Sequence, residues 1–429
     1  MVNDADDADA PTRREYVKYG GAIIGGGLLA GCSSDGEDST ATPEAAGADT
    51  ATATPTPEAA GTESAAPTET ETATPDGPYT VSMAPVGEVE LASVPTDVMV
   101  YSLLYADMAV AYGHGDAVNS LGFDAEAGGN TLDAYYERLD GVAFDREGLA
   151  QLNTGSGSLT VDTELFYELD SDLHLVDPAL VASFDGWNQP DIEEIAETIA
   201  PWFGNAFSRN HGQPPEAYRD DYEYYTLWEI AERVAAVFRE RERYERLAAV
   251  HADLRERIHS DLPPESERPR VGAVIFVDGT FYPSTINTPG FANAHVRPLG
   301  ATDAFADGDV TYESTYDYEE LLEVDPDVLL HQFGIASYYD VGQVRETLAD
   351  HPVGSRLTAV EDDAVYPSAN PVQGPLMNLF QLEMTAKQLY PGRFGEWPGY
   401  SAGDPYPEIP EGERLFDRER VADIVAGDF

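Results

Sequence analysis

One cysteine, Cys32, and two lysines, Lys18 and Lys387, are all that this 429-residue chain has of either type. A single cysteine excludes an intrachain disulfide framework and any thiolate metal cluster. The shortage of lysine is part of a wider shortage of positive charge: 24 Lys and Arg stand against 79 Asp and Glu, a formal net charge of −55. That balance excludes nucleic acid as a partner, because binding it requires basic groups that displace phosphate counterions. A globular body so charged repels itself in dilute buffer. The composition therefore points to concentrated salt, where the Debye length falls to about 3 Å at 1 M, and to a halophilic source. Catalytic signatures are also missing. Gly155-Ser156-Gly157-Ser158 lacks the surroundings of a nucleophile elbow, and carboxylates are too common here for any pair to signal acid–base chemistry. The eight histidines are scattered, with no His-rich loop and no i, i+4 pair, which argues against free metal as a ligand. The expectation is a non-enzyme without cofactor or metal site.

What is present is ordered along the chain. Arg13-Arg14 precedes a short, glycine-rich apolar run from Tyr19 to Ala30, too short for a spanning helix, and Leu29-Ala30-Gly31-Cys32 follows. Paired arginines before a modest apolar core resemble a twin-arginine export signal, and the last four residues resemble a lipobox. Residues 1–31 are thus expected to be removed, and Cys32 to be lipidated on the outer face of the cytoplasmic membrane. Residues 32–78 are almost only Thr, Ala, Pro, Glu, Gly, Ser and Asp. They have too little apolar surface to offset chain entropy, and read as a disordered tether. Nearly all of the acidity belongs to the exported part.

Beyond the tether, short apolar runs at Val98–Tyr101, Ala117–Leu121, Leu173–Val176, Val271–Val277, Val328–Leu330 and Ala364–Tyr366 read as buried strands. Helical patterns lie between them, which predicts an α/β fold. Leu227, Ile230, Val234, Val237, Tyr244, Leu247, His251, Leu254 and Ile258 keep three-to-four spacing until Pro263-Pro264. One helix over 226–259 would span roughly 50 Å, a spine between two bodies. The flanks of this spine repeat. Asp162, Glu164, Glu168, Asp170 and Asp172 align without gaps on Asp317, Glu319, Glu323, Asp325 and Asp327, and the apolar positions between them agree as well. Each copy predicts a helix, a turn and a buried strand. The expected domains are an N-terminal α/β lobe at 79–221, a spine at 222–262 and a C-terminal α/β lobe at 263–429.

These pieces, together with Pro95–Val100 entering the first strand, Tyr105–Gly113 as the first helix, Arg268-Pro269-Arg270-Val271 and Leu389-Tyr390-Pro391, resemble substrate-binding lipoproteins of ABC importers. The group is the one with a rigid helical backbone that serves ferric siderophores, haem and cobalamin. Two departures stand out: Ser171 replaces the usual proline in the first copy, and the loop over 206–221 is long. The resemblance implies two Rossmann-like lobes joined by one long helix, and as partners a small metal chelate, a permease dimer and its ATPase. It also implies one permease-docking glutamate per lobe, which falls on Glu164 and Glu319. Short charge-assisted hydrogen bonds of this kind survive salt that abolishes steering.

Ligands of α/β folds bind at loops after the strands. In the first lobe this selects Tyr101, the loop 153–158 and Phe184–Trp187. In the second it selects Phe281, Tyr282, Asn293, Arg297, His331-Gln332-Phe333 and Gln373. Arg209 and His211 lie in the long loop before the spine. Trp187 and Tyr282 are the expected stacking pair for a flat or bulky chelate. No Lys or Arg occurs from Tyr19 to Glu137, which leaves Arg209 and Arg297 as the main cations of the cleft. That favours a near-neutral ferric hydroxamate or a corrinoid over a trianionic catecholate. Haem is less favoured because no Tyr or His stands in a recognisable axial position. The alternative is a cell-surface enzyme or adhesion lipoprotein that reuses the fold.

Overall fold

The computed structural model describes residues 77–125, 128–153, 160–308, 310, 311 and 313–429. The expected export signal, Cys32, the expected tether up to residue 76 and the Gly/Ser loop at 154–159 lie outside the described residues.

The first lobe opens with a hairpin, β1 (Tyr79–Met83) and β2 (Gly87–Leu91). There follow β3 (Val98–Val100), α1 (Leu103–Ala111), β4 (Ser120–Leu121), α2 (Thr131–Tyr136), β5 (Ala150–Gln151), α3 (Thr163–Leu169), β6 (Leu173–Leu175), α4 (Pro178–Val181) and α5 (Gln189–Thr198). Strand β3 pairs in parallel with β6, β4 with β5, and a parallel bridge from Val98 to Val118 links the two pairs. After α6 (Leu227–Val237) and α7 (Arg241–Ser260), the second lobe contains β7 (Arg270–Val277), β8 (Thr280–Ser284), β9 (Thr302–Asp303), α8 (Tyr318–Val324), β10 (Val328–His331), α9 (Val341–Asp350), α10 (Thr358–Glu361) and β11 (Val365–Pro367). Its sheet runs β11-β10-β7-β8; β9, β10 and β11 are parallel to the β7 direction and β8 is antiparallel. The chain ends with α11 (Pro375–Leu389), α12 (Pro391–Phe394) and α13 (Arg418–Ala426).

The two copies of the repeat make matching hydrogen bonds from aspartate side chains to backbone amides. Asp162 and Asp317 both cap a helix N-terminus, and Asp170 and Asp325 both end that helix in the left-handed region, at φ 46° and 44°. Asp172 then accepts from the Asp97 amide at 3.2 Å, and Asp327 from the Arg270 amide at 2.7 Å. Each aspartate thereby registers its strand, β6 or β10, beside its parallel partner, β3 or β7.

The single 34-residue spine is corrected. The helix stops at Val237 and restarts at Arg241. Arg239 takes φ 57°, the Glu240 amide bonds Ala235 O at 2.8 Å and the Arg239 amide bonds Ala236 O at 3.2 Å. This is a Schellman stop with arginine where glycine is usual. The two helices fold against each other, since Trp228 on α6 stacks on His251 of α7 with ring centres 4.4 Å apart. The helix that leads into the second lobe is α7 alone, 20 residues and about 30 Å long.

Helices α1, α6, α7, α11 and α13 contribute to one hydrophobic core that also takes residues of β3, β6, β7 and β10. Each lobe keeps a smaller core of its own on the far side of its sheet. All 15 residues of α11 are buried. Its Glu383 pairs with Arg418 at 2.6 Å, with the two side chains 0% and 4% exposed. The last segment also returns to the first lobe, where the Tyr406 amide bonds Ala134 O at 2.7 Å.

Candidate functional site

A cavity of about 130 Å³ lies between the lobes. Its first-lobe wall is made by residues following β3 (Tyr101, Leu104, Tyr105), β4 (Phe123, Gly128) and β6 (Val176, Asp177, Leu180), and its second-lobe wall includes Phe333 after β10 and Val372 after β11. It therefore sits at the carboxyl ends of parallel strands from both lobes, where open α/β sheets bind ligands. The lining is mostly aliphatic and aromatic.

Tyr101 is 7% exposed, and its hydroxyl is buried with no hydrogen-bond partner among the described residues. Burial raises its pKa, so the phenol is a neutral donor. Its ring lies against Phe123 and Phe184, with centres 5.9 and 5.5 Å away. Gly122 permits this, because a Cβ there would stand 2.6 Å from Tyr101 O and 3.1 Å from its ring.

Asp177 organises the long loop. It caps α4 through the Ala179 amide at 2.8 Å and accepts from Tyr222 Oη and the Ala206 amide, both at 2.6 Å. Burial pushes its pKa up to about 6 against the pull of those hydrogen bonds. The loop so held presents Arg209, whose desolvated guanidinium has its pKa lowered to about 10. Among the described residues of the lining, Arg209 is the one cationic side chain.

Two contacts close the cavity from the second lobe. A Cβ on Gly290, at φ 104°, would stand 2.2 Å from Arg209 O, and one on Gly128, at φ 97°, would stand 2.7 Å from the Tyr338 ring. Glycine is required at both places for the lobes to meet. Phe333 occupies the left-handed region at φ 59°, with its amide on Ala369 O at 3.1 Å. A phenylalanine held there at a cavity wall is backbone strain placed at a candidate site.

Of the residues expected from the sequence, Tyr101 and Arg209 line this cavity together, and Phe333 joins them. Trp187 does not; it donates Nε1–H to Val161 O at 2.8 Å and meets Phe166 edge-on in the first lobe's own core. Tyr282, 36% exposed on β8, lies outside the lining, so the pair expected to stack on a ligand does not face the cavity. Arg297 donates to Thr288 O at 2.6 Å on a loop that Asn293 also holds. His331 is fully buried against Tyr339 Oη at 2.8 Å, and burial lowers its pKa to about 3. His211 stacks on Tyr224. Gln373 acts one layer back: its amide holds Phe291 O at 3.0 Å and Ala292 O at 3.2 Å, which fixes the Phe291 wall. The sequence reading missed Phe123, Phe207, Phe291 and Tyr338, which lie on loops without periodicity. The glycines beside them, Gly122, Gly128 and Gly290, were the available signal.

Glu164 and Glu319 occupy the same place in their helices, two residues past the capping aspartate, and both are exposed. Among the described residues, no group of three or more His, Cys, Asp or Glu is placed to hold a metal ion, and no helix is long and apolar enough to cross a membrane.

No protein-family model matches the chain, and no curated protein matches it. Solved structures do. The petrobactin-binding protein YclQ of Bacillus subtilis is 16% identical with a TM-score of 0.51, over 73% of this chain and 99% of that one. PiuA of Streptococcus pneumoniae, an iron uptake ABC transporter substrate-binding protein, is 15% identical with a TM-score of 0.50, over 72% and 98%. A periplasmic binding protein of Veillonella parvula gives 15% and 0.50, over 73% and 97%. The chain has the periplasmic-binding-protein-like α/β fold of these proteins.

Proposed function

We propose that the protein is an extracytoplasmic solute-binding protein that captures a near-neutral ferric chelate, of hydroxamate type, between its lobes and delivers it to an ABC permease. The observation that carries this reading is the cavity at the strand ends of both lobes, mostly aromatic and aliphatic, with one guanidinium, Arg209, one carboxyl, Asp177, already engaged in the loop, and the Tyr101 hydroxyl, which has no partner among the described residues. A trianionic catecholate would leave charge unmatched there, because one guanidinium faces it. A near-neutral chelate gains apolar burial and two directional contacts. One of the similar structures is named an iron uptake ABC transporter substrate-binding protein, and another a petrobactin-binding protein. At about 130 Å³ the cavity is smaller than the roughly 300 to 1,000 Å³ of drug-sized sites. A whole chelate therefore enters as the Gly290–Arg209 and Gly128–Tyr338 contacts part, while the shared helical core holds the lobes together at their base. Glu164 and Glu319 are the permease contacts in this reading, and lipidation of Cys32 keeps the protein at the cell surface. The test is calorimetric titration in multimolar salt with ferric hydroxamates, ferric catecholates, haem and cobalamin. Saturable hydroxamate binding supports the reading. Tighter cobalamin or haem binding replaces the cargo, and no binding at all favours a surface enzyme or adhesin built on this fold.

A further inference from the structure

A second concavity, of about 500 Å³, lies where the first lobe, the second lobe and the C-terminal segment meet. Its walls carry Arg138, just past α2, Arg345 on α9, and Pro398, Tyr400, Ser401 and Asp404 of the terminal segment. The two arginines are held alike. Arg138 Nε donates to Tyr406 O, and Arg345 Nε donates to Val365 O at 2.8 Å. Each guanidinium is thus fixed through Nε, with both Nη groups left for another acceptor. Both side chains are half-buried. Neither takes part in an ion pair among the described residues, whereas Arg146, Arg241, Arg243, Arg246, Arg393, Arg418 and Arg420 all do. In a chain with 79 acidic and 24 basic residues, two guanidiniums in one groove facing a single carboxylate, Asp404, depart from the prevailing charge.

We propose that this groove is a binding site for a small multivalent oxyanion, a di- or tricarboxylate or a phosphate. Arginine forks recognise such groups by paired hydrogen bonds, a geometry lysine cannot supply. The acidic surroundings repel anions at long range, and concentrated salt screens that repulsion while leaving the short contacts. Because the two arginines belong to different lobes, a bound oxyanion ties the lobes together at a place separate from the cleft. The site does not depend on what the cleft binds.

The test is titration calorimetry on the full chain in multimolar KCl with citrate, malonate and phosphate. Chloride is then in constant excess, and bulk salt effects on stability do not register as saturable heat. Saturable binding of one oxyanion per chain is expected. Arg138→Gln and Arg345→Gln should each weaken it about tenfold or more, Arg345→Lys should weaken it despite keeping the charge, and the double glutamine variant should abolish it. Binding of citrate and malonate without phosphate identifies a polycarboxylate site, the converse a phosphate site, and either supports the proposal. Should Arg138→Gln loosen the Tyr406 contact, Arg345→Gln carries the test, since its anchor is on β11. No saturable binding of any of the three, or binding unchanged in the double variant, overturns it.

Discussion

Asp107 is a buried carboxyl group with three donors and, among the described residues, no paired cation. It accepts from Tyr136 Oη at 2.6 Å, the Leu376 amide at 2.9 Å and the Met377 amide at 3.3 Å, and so caps α11 from another part of the chain. Gly374 lies against it so closely that a Cβ would stand 2.3 Å from Oδ2. Asp107→Asn keeps the shape but can turn an N–H toward N–H groups. It should cost about 1–3 kcal/mol in denaturant unfolding. A loss within a few tenths of the wild type contradicts this capping role. Titration adds a second residue-scale expectation. Burial lowers the pKa of His251, His295 and His331 to about 3 and of His174 to about 4, so all four stay neutral in the folded state near pH 5 while the unfolded chain protonates them. Their contribution is present above the unfolded value of about 6.5 and is lost as pH falls from there toward 3. Asp107 and Asp177, raised to about 7 and about 6, act in the opposite sense between the unfolded carboxylate range and those values, but they are two groups against four. Stability in constant salt should therefore fall between pH 7 and pH 5; a denaturation midpoint that rises over this interval contradicts the assignment. Little of this was legible in advance. His331 and Gln373 were selected because they follow strands, yet one is sealed in the core and the other supports a wall, since a residue type near a strand end does not say which way its side chain points.

Among the elements, the paired helix-turn-strand units were the most legible. Their aspartates act locally, at caps and at strand entries, so the same residues recur wherever the same backbone is built. The two left-handed caps nevertheless differ in surroundings. Asp170 is exposed, whereas Asp325 accepts from the Thr358 amide and hydroxyl, both at 2.9 Å. Asp170→Gly should stabilise by up to about 1 kcal/mol by relieving the left-handed backbone. Asp325→Gly should destabilise by about 1–2 kcal/mol, since two hydrogen bonds are lost. Thermal unfolding of the two variants measures the difference, and equal shifts of the same sign would count against it. The spine break was not legible, because Arg239 fills the position where a glycine would have announced it and the apolar spacing continues through the stop. Its guanidinium lies over the Tyr79 ring, 4.0 Å from the centroid, so a tertiary contact is made from a position that local propensity disfavours.

At the scale of the molecule, one layer of helices shared by two sheets explains why a chain of this charge forms a single cored body: the acids stay outside while the apolar faces of α1, α6, α7 and α11 meet. The two-lobe plan was readable from the repeat, but the cavity was not, because its second-lobe wall comes from loops whose places depend on β7, β10 and α11 together. Replacing both Glu164 and Glu319 by alanine should leave chelate affinity unchanged and abolish uptake by cells; full uptake by the double variant contradicts their docking role. The claim that the cleft is the binding site is met most directly by blocking it. Val372→Trp adds a large ring to the cavity wall at a side chain that itself makes no hydrogen bond. In equilibrium dialysis with iron-labelled ferric hydroxamate, the wild type should bind saturably and a folded Val372→Trp variant should lose at least about tenfold in affinity. Equal binding by both, or none by either, would contradict it.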